Sequence, residues 1–404
     1  MIDFSPSPEA EDVRLRTKAF VAEHIIPLEA TRGNYDEHEN IRGDLLDSLR
    51  VKARAAGLWS PQVPKARGGM GLPMVAQAAM YEEANYSIFG PVCFNCAAPD
   101  DGNMRVLNQL GTEAQKEKWL QPIIDGRARG AIVMTEPHPG GGSDPTMMRT
   151  TAVKQGDKWV VNGRKWFITG AGWASHFILL ARTSDEPRRE LTAFLFHKDN
   201  PGFKIIRKVP IMGPEEHGGH CELELTNLEI PDEDRLIGVG EGMRVVQTRL
   251  VPARLTHCMR WLGLARRSMA IAAEYVNRRE AFGQKLAARE SVQMMLGDVA
   301  KDIQIGRLLV MHAAWTLDHG GPNLRNGGMK ETSMAKVYVA NLLHKAVDTA
   351  IQLNGARGYS KDTILEWIYR YARQARILDG ADEVHKMILA RAYAKEGDEF
   401  WRWG

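Results

Sequence analysis

Ala131-Ile-Val-Met-Thr-Glu-Pro-His-Pro-Gly-Gly-Gly-Ser-Asp144 is the stretch on which the reading of this chain turns. It opens as a short apolar run and bends at Thr-Glu-Pro into glycines, where backbone N–H groups can approach a ligand closely. The hydroxyls of Thr135 and Ser143 flank the bend. Downstream, Lys165-Trp-Phe-Ile-Thr-Gly170 sets an aromatic and a hydroxyl on one strand face. Such pieces suit a flat ring rich in heteroatoms. Taken alone they suit a surface loop and a core strand equally well.

The same stretch marks a change of period. Residues 1–130 read as helical: Asp44 to Ala56 is amphipathic and stops at Gly57, Pro61 to Pro73 is a loop, Met74 to Tyr86 is a further helix, and Thr112 is an N-cap. Residues 131–238 read as strands. Gln155-Gly-Asp157 joins two of them as a hairpin, Asn162-Gly163 is read as a second turn, and Phe177–Ala181 and Leu191–His197 continue the series. In Cys221–Leu225 the apolar residues are expected on one face, with Glu222 and Glu224 on the other. Residues 239–404 return to helix. Leu255, Cys258, Met259, Leu262 and Ala265 share one stripe, and Asn354-Gly355 ends a second long helix. The fold class expected is α+β: an N-terminal helical domain (1–130), a middle β-barrel or sandwich domain (131–238), and a C-terminal helical-bundle domain (239–404).

Composition narrows the function. The 404 residues are 44% hydrophobic with a net charge of +3, so a large core is available and no single basic face is evident. No nucleic-acid partner is expected. No apolar run reaches the roughly eighteen residues of a membrane span, and Met1–Ala10 has no signal-peptide core, so no membrane partner and a cytoplasmic location are expected. Cys93 and Cys96 lack a second pair to complete a zinc site, and His217-Gly-Gly-His220 lacks helical spacing; no metal is expected. Gly238-Val-Gly-Glu-Gly242 and Gly170-Ala-Gly172 miss the strand–glycine–helix context of a dinucleotide fold.

Five strings then combine. Met134-Thr-Glu-Pro with Gly142-Ser-Asp144, Val161-Asn-Gly-Arg-Lys-Trp-Phe-Ile-Thr169, Arg278-Arg-Glu-Ala-Phe-Gly283, Gln352-Leu-Asn-Gly-Ala-Arg-Gly358 and Asp379-Gly-Ala-Asp-Glu-Val-His385 resemble, in order, the signature of the acyl-CoA dehydrogenase family. Leu250 to Arg260 and the Asp-Gly string are similar to the branch holding human family members ten and eleven and many bacterial relatives. The resemblance implies FAD bound noncovalently, an acyl-CoA substrate, a homotetramer or homodimer, a role in fatty-acid β-oxidation, and an electron-transferring flavoprotein as acceptor. By position it assigns Met134, Thr135, Ser143, Phe167 and Thr169 to the flavin. It assigns Arg279 and Phe282 to the pyrophosphate side of a neighbouring subunit's FAD, Gln352, Gly355 and Ala356 to the adenosine half, and Glu383 to a further contact. Ser143, Arg254 and Gly380 would meet the substrate.

Asp379 matches the catalytic base, where most members of the family carry Glu. Aspartate reaches about 1.5 Å less far. Three readings follow: Asp379 is the base with backbone or substrate moved closer; the base has moved to a helix position, which is Ala253 here and cannot serve; or Asp379 is a structural acid. Exclusion of water by acyl-CoA is expected to raise its pKa. Arg279 has a surface ion pair as its ordinary alternative. The loop residues His138 to Gly141, Glu290 in place of a frequent Gln and Ala356 in place of a frequent Gly depart from the family pattern. A nitroalkane-oxidase-like or acyl-CoA-oxidase-like flavoenzyme and a DNA-associated relative are the alternative functions.

Overall fold

Helical periodicity at both ends of the chain and strand alternation between them produce three layers of structure that share their cores. The computed structural model describes residues 6–142, 144–187, 189–320 and 328–402. The N-terminal part is built on α1 (Pro8–Phe20), α2 (Gly43–Ala55), α3 (Met74–Ala84) and α4 (Asp100–Leu110), and the C-terminal part on α5 (Gly242–Arg278), α6 (Glu290–His319), α7 (Met329–Asn354), α8 (Leu365–Gln374) and α9 (Asp382–Glu396). The Thr112 cap is a reciprocal box with Gln115, each side chain meeting the other's backbone N–H at 3.2 Å. Gly57 ends α2 and Gly355 ends α7, both at positive φ. No helix among the described residues is long and apolar enough to cross a membrane.

Between the helical parts lie β1 (Gly130–Val133), β2 (Thr151–Gln155), β3 (Lys158–Thr169), β4 (His176–Arg182), β5 (Leu191–His197), β6 (Phe203–Lys208), β7 (His220–Pro231) and β8 (Arg235–Leu236). Among the described residues these form one sheet in the order β6-β7-β3-β2-β4-β5-β8, with β1 parallel to β4. The 155–157 hairpin is present. Asn162-Gly163, expected as a turn, is instead a bulge within the continuous strand β3, where the register against β7 shifts. The reason is steric: a Cβ on Gly163 would sit 2.4 Å from Thr150 Oγ1, so glycine serves close packing. Glu222, on the face opposite the apolar residues of β7, is buried because Arg164 (2.8 Å) and Arg207 (2.7 Å) pair with both its oxygens.

The N-terminal helices have no core to themselves. One apolar cluster runs from Val13, Ile25 and Tyr81 into Trp261, Leu343 and Ile368 of the C-terminal helices. A second joins Met104 and Trp119 to Leu180 and Leu195 of the sheet. Gly263 lets α5 meet the end of α3, since a Cβ there would lie 2.3 Å from Glu82 O. Glu82 also receives Arg266 and Arg307, at 2.8 and 2.6 Å. Cys93 and Cys96 are fully buried small side chains, and burial pushes the Cys93 thiol up to about 12. The sharing of cores fixes α4 and α5 against β1 and β5 of the sheet.

Candidate active site

Asp379 occupies the short link between α8 and α9. Its φ is +49° and that of Gly380 is +102°, two successive residues in the left-handed region. Aspartate tolerates that region better than most side chains. Glycine is required next, since a Cβ at 380 would meet His385 Nε2 at 2.9 Å. Such a backbone persists only when its surroundings hold it. Arg254 Nε donates to the Asp379 carbonyl at 2.7 Å, and Lys336 Nζ donates to the Gly380 carbonyl at 2.7 Å. His385 stands between Ser333 Oγ (3.0 Å) and the Asp379 carbonyl (3.4 Å). Burial, with the nearby cations Arg254 and Lys336, pushes His385 down to about 4, so its imidazole is neutral at ordinary pH. Lys336 is itself fully buried and lies 3.5 Å from Asp382, which Arg376 and Asn341 also hold.

The Asp379 carboxyl faces His257 of α5, Oδ2 to Nε2, at 3.4 Å. Burial acts to raise its pKa, but the hydrogen bond and charge of His257 and the charges of Arg249 and Arg254 outweigh burial. The carboxyl is held well below the usual carboxylate range. The upward shift expected at the sequence level concerns the substrate-covered site; in this structure His257, Arg249 and Arg254 set the opposite direction. His257 was missed from the sequence, where it is one more residue of a long helix without a motif of its own.

His257 lines a cleft of about 740 Å³, measured out to open solvent, that Thr169 also lines. Ala97, Ala98 and Pro99 form part of its wall, and α5 contributes His257, Arg260 and Leu264. Arg260 is buried beside Asp101 at 2.7 Å, and Thr256 donates to the same carboxyl at 2.6 Å.

At the sheet edge the loop after β1 is locked to β3. Trp166 N–H donates to Thr135 O at 3.0 Å, and Lys165 Nζ reaches Met134 O at 2.9 Å and Glu136 at 3.0 Å. Glu136 is buried and accepts from the backbone of Arg149 (2.7 Å) and Thr150 (2.9 Å), so this acid braces the Gly-rich loop. A second register shift in β3, between Lys165 and Ile168, interrupts the simple alternation expected there. Phe167 takes φ +52° and exposes 41% of its surface, while Thr169 Oγ1 meets His220 Nδ1 at 3.0 Å. A bulky residue in that backbone region is strained, by on the order of 1–3 kcal/mol.

The structure thus brings Asp379, Gly380 and Arg254 together, and Met134, Thr135, Phe167 and Thr169 form a second group at the sheet edge. Arg279, Phe282, Gln352, Gly355, Ala356 and Glu383 are exposed on the C-terminal helices and their connections. Phe282 is 96% exposed at φ +53°. No ion pair among the described residues engages the Arg279 guanidinium. Ser143 and Trp403 lie outside the described residues; Trp401 is exposed.

A helical–sheet–helical chain with a pinned acid beside a cleft at the sheet edge is the arrangement of a flavin-dependent acyl-thioester oxidoreductase. The sequence agrees. The models of the acyl-CoA dehydrogenase N-terminal, middle and C-terminal domains match residues 7–127, 131–228 and 240–394. A probable acyl-CoA dehydrogenase, FadE2, of Mycobacterium tuberculosis is 36% identical over 97% of both chains. Human acyl-CoA dehydrogenase family member 11 is 35% identical over 96% of this chain, which spans half of that protein's length. A solved putative acyl-CoA dehydrogenase from Mycobacterium abscessus superposes with a TM-score of 0.89 at 36% identity, covering 97% of this chain and all of that one. Butyryl-CoA dehydrogenase from Megasphaera elsdenii gives 0.82 at 27%, with the same coverage. The chain belongs to the acyl-CoA dehydrogenase family and is an FAD-dependent oxidoreductase.

Proposed function

We propose that this chain catalyses the α,β-dehydrogenation of an acyl-CoA thioester to the trans-2-enoyl-CoA, with Asp379 as the base. The observation that carries the reading is the ionised, geometrically fixed carboxylate of Asp379 next to the cleft that Thr169 shares. An α proton of a thioester is weakly acidic, so its removal needs a carboxylate within reach and donors on the carbonyl to stabilise enolate-like charge. Asp379 takes the proton on its free carboxylate. Arg254 and Lys336, by holding the carbonyls of 379 and 380, fix the peptide whose Gly380 N–H polarises the thioester. Pinning the backbone offsets the missing methylene, because the segment that carries the short side chain is placed by its neighbours rather than by its own reach.

The residues present fit FAD. The strained, exposed Phe167 ring and the half-buried Met134, Thr135 and Thr169 suit the flavin, with Ser143 assigned to it by position only. The uncommitted Arg279 guanidinium suits a pyrophosphate, and its exposure with that of Phe282, Gln352, Gly355, Ala356 and Glu383 suits contact with a neighbouring subunit's cofactor in a homodimer or homotetramer. When bound, FAD supplies the hydride acceptor. The protein orients, polarises and holds the proton. An electron-transferring flavoprotein is the electron acceptor in this reading, which places the chain in cytoplasmic fatty-acid breakdown.

The test is anaerobic flavin bleaching by straight-chain acyl-CoAs from butyryl to palmitoyl, set against nitroalkanes. Bleaching by at least one acyl-CoA and slow reoxidation by oxygen are expected. Bleaching by nitroalkanes alone replaces the reading with that of a nitroalkane oxidase, and fast reoxidation with that of an acyl-CoA oxidase.

A further inference from the structure

The side chain closest in role to the assigned base carries no function so far. His257 is 7% exposed, lies 3.4 Å from Asp379 through Nε2, and stacks on Trp261 with ring centroids 5.3 Å apart and planes 28° from parallel. Its Nδ1 is buried and has no hydrogen-bond partner among the described residues. Of the two ring nitrogens it is Nε2 that faces the carboxylate. The stack on Trp261 fixes the plane of the ring, and the α5 backbone fixes its height.

We propose that His257 is a positioning residue for Asp379, its Nε2–H orienting the short carboxylate beside the cleft that His257 lines. The contact of 3.4 Å is long for a hydrogen bond, the loose spacing of a catalytic pair before substrate closes it. An aspartate side chain has a single methylene between backbone and carboxyl, so the backbone at 379 and one hydrogen bond are enough to define where both oxygens lie. The backbone end is held by Arg254 and Lys336; His257 supplies the other end.

Other charges face this pair and do not replace it. Arg249 and Arg254 approach Asp379 from α5, Lys336 from α7 and His385 from α9, while Asp101 of α4 faces His257 and is itself committed to Arg260 and Thr256. Burial favours the neutral acid, and His257 leads the groups that oppose it, ahead of Arg249 and Arg254. Withdrawing His257 therefore raises the Asp379 pKa and moves the acid limb of kcat/KM to higher pH.

This role rests on Asp379 being the base, and the two ideas fail separately. The variants are H257F, H257N, whose amide stops short of Asp379, and H257Q, whose amide nitrogen reaches the position of Nε2. Each is purified with FAD and reduced anaerobically by the acyl-CoA that bleaches the parent fastest. The Asp379 carboxyl is titrated by ¹³C NMR in the substrate-free holoenzyme, its signal assigned by its absence from D379N. H257F and H257N are expected to lose about 10²-fold in maximal rate with KM little changed, as for a misplaced catalytic group. Their acid limb and carboxyl titration shift upward together, and H257Q recovers at least about tenfold of the loss. If H257F does not fold, H257N against H257Q decides. Donor-less variants within about threefold of the parent with an unmoved titration overturn the role, as do equal losses in all three variants. An active D379N overturns the base assignment itself, whereas an inactive D379N beside active H257F and H257N removes only His257.

Discussion

Replacing Lys336 with Met separates the anchoring of the active-site peptide from the chemistry of the base. The Lys336 side chain is fully buried and makes two contacts: its ammonium donates to the Gly380 carbonyl at 2.7 Å and lies 3.5 Å from Asp382. Losing a charged hydrogen bond to a buried carbonyl costs about 1.5–3 kcal/mol. Asp382 keeps Arg376 at 3.0 Å and Asn341 at 2.9 Å, so the larger penalty of about 3–5 kcal/mol for an abandoned buried charge is not incurred. Burial already depresses the Lys336 pKa, so removing its charge returns part of the cost. The net loss is about 2 kcal/mol, equivalent to a fall of roughly 2–3 °C in Tm for a chain of this length. Turnover falls much further. The 379–380 peptide, which carries the Gly380 N–H, keeps Arg254 on its carbonyl but loses the anchor on the next peptide, so the N–H is misaimed rather than freed, and a misplaced group costs about 10²-fold in kcat. The assay is anaerobic flavin reduction by acyl-CoA beside thermal melting of the same samples. A K336M protein that melts lower but reduces its flavin at the parental rate refutes the idea that this lysine serves the site through Gly380.

Two further outcomes concern the flavin side. Burial pushes Lys165 down to about 8 from 10.5, with Glu136 only partly opposing the shift. Between those pH values the unfolded chain holds a proton that the folded chain has released, so stability rises with pH across the window, by roughly 3 kcal/mol. In K165M that rise is absent, which unfolding measured at pH 7.5 and pH 10 checks; a rise that persists assigns it to other groups. R279Q removes an exposed guanidinium with no ion pair among the described residues, so the isolated fold keeps its Tm. FAD retention after dialysis falls about tenfold or more, as expected for one charge-assisted contact. Undiminished flavin content contradicts the assignment of Arg279 to the cofactor.

The helical–strand–helical order was legible because burial on one face imposes a period of 3.6 or 2 on the apolar residues, and the stripe on α5 did so without ambiguity. What misled was local. Asn162-Gly163 carries the composition of a tight turn, yet its glycine is there so that Thr150 can pack against the strand, and composition does not distinguish the two uses. Glu222 lies opposite the apolar residues of its strand as the alternation requires, and its burial comes from two arginines on neighbouring strands, partners that register sets and sequence does not show. Asp379, Gly380 and Arg254 were found through the family signature. The reason that they work together is a backbone fact, two left-handed residues held by Arg254 and Lys336, with no trace in residue spacing. His257 lies within the Leu250–Arg260 string, but that string does not tell its role: its meaning comes from α5 passing beside the 379 link, more than a hundred residues later in the chain.

The central claim is that a carboxylate at 379 removes the substrate's α proton. Stopped-flow anaerobic bleaching of D379N by the preferred acyl-CoA tests it most directly, with flavin content and acyl-CoA binding measured on the same protein. Full FAD, substrate binding within a few fold of the parent and flavin reduction slowed by at least about 10⁴-fold, the top of the range for a general base, are expected. Reduction of D379N at near-parental rate contradicts it.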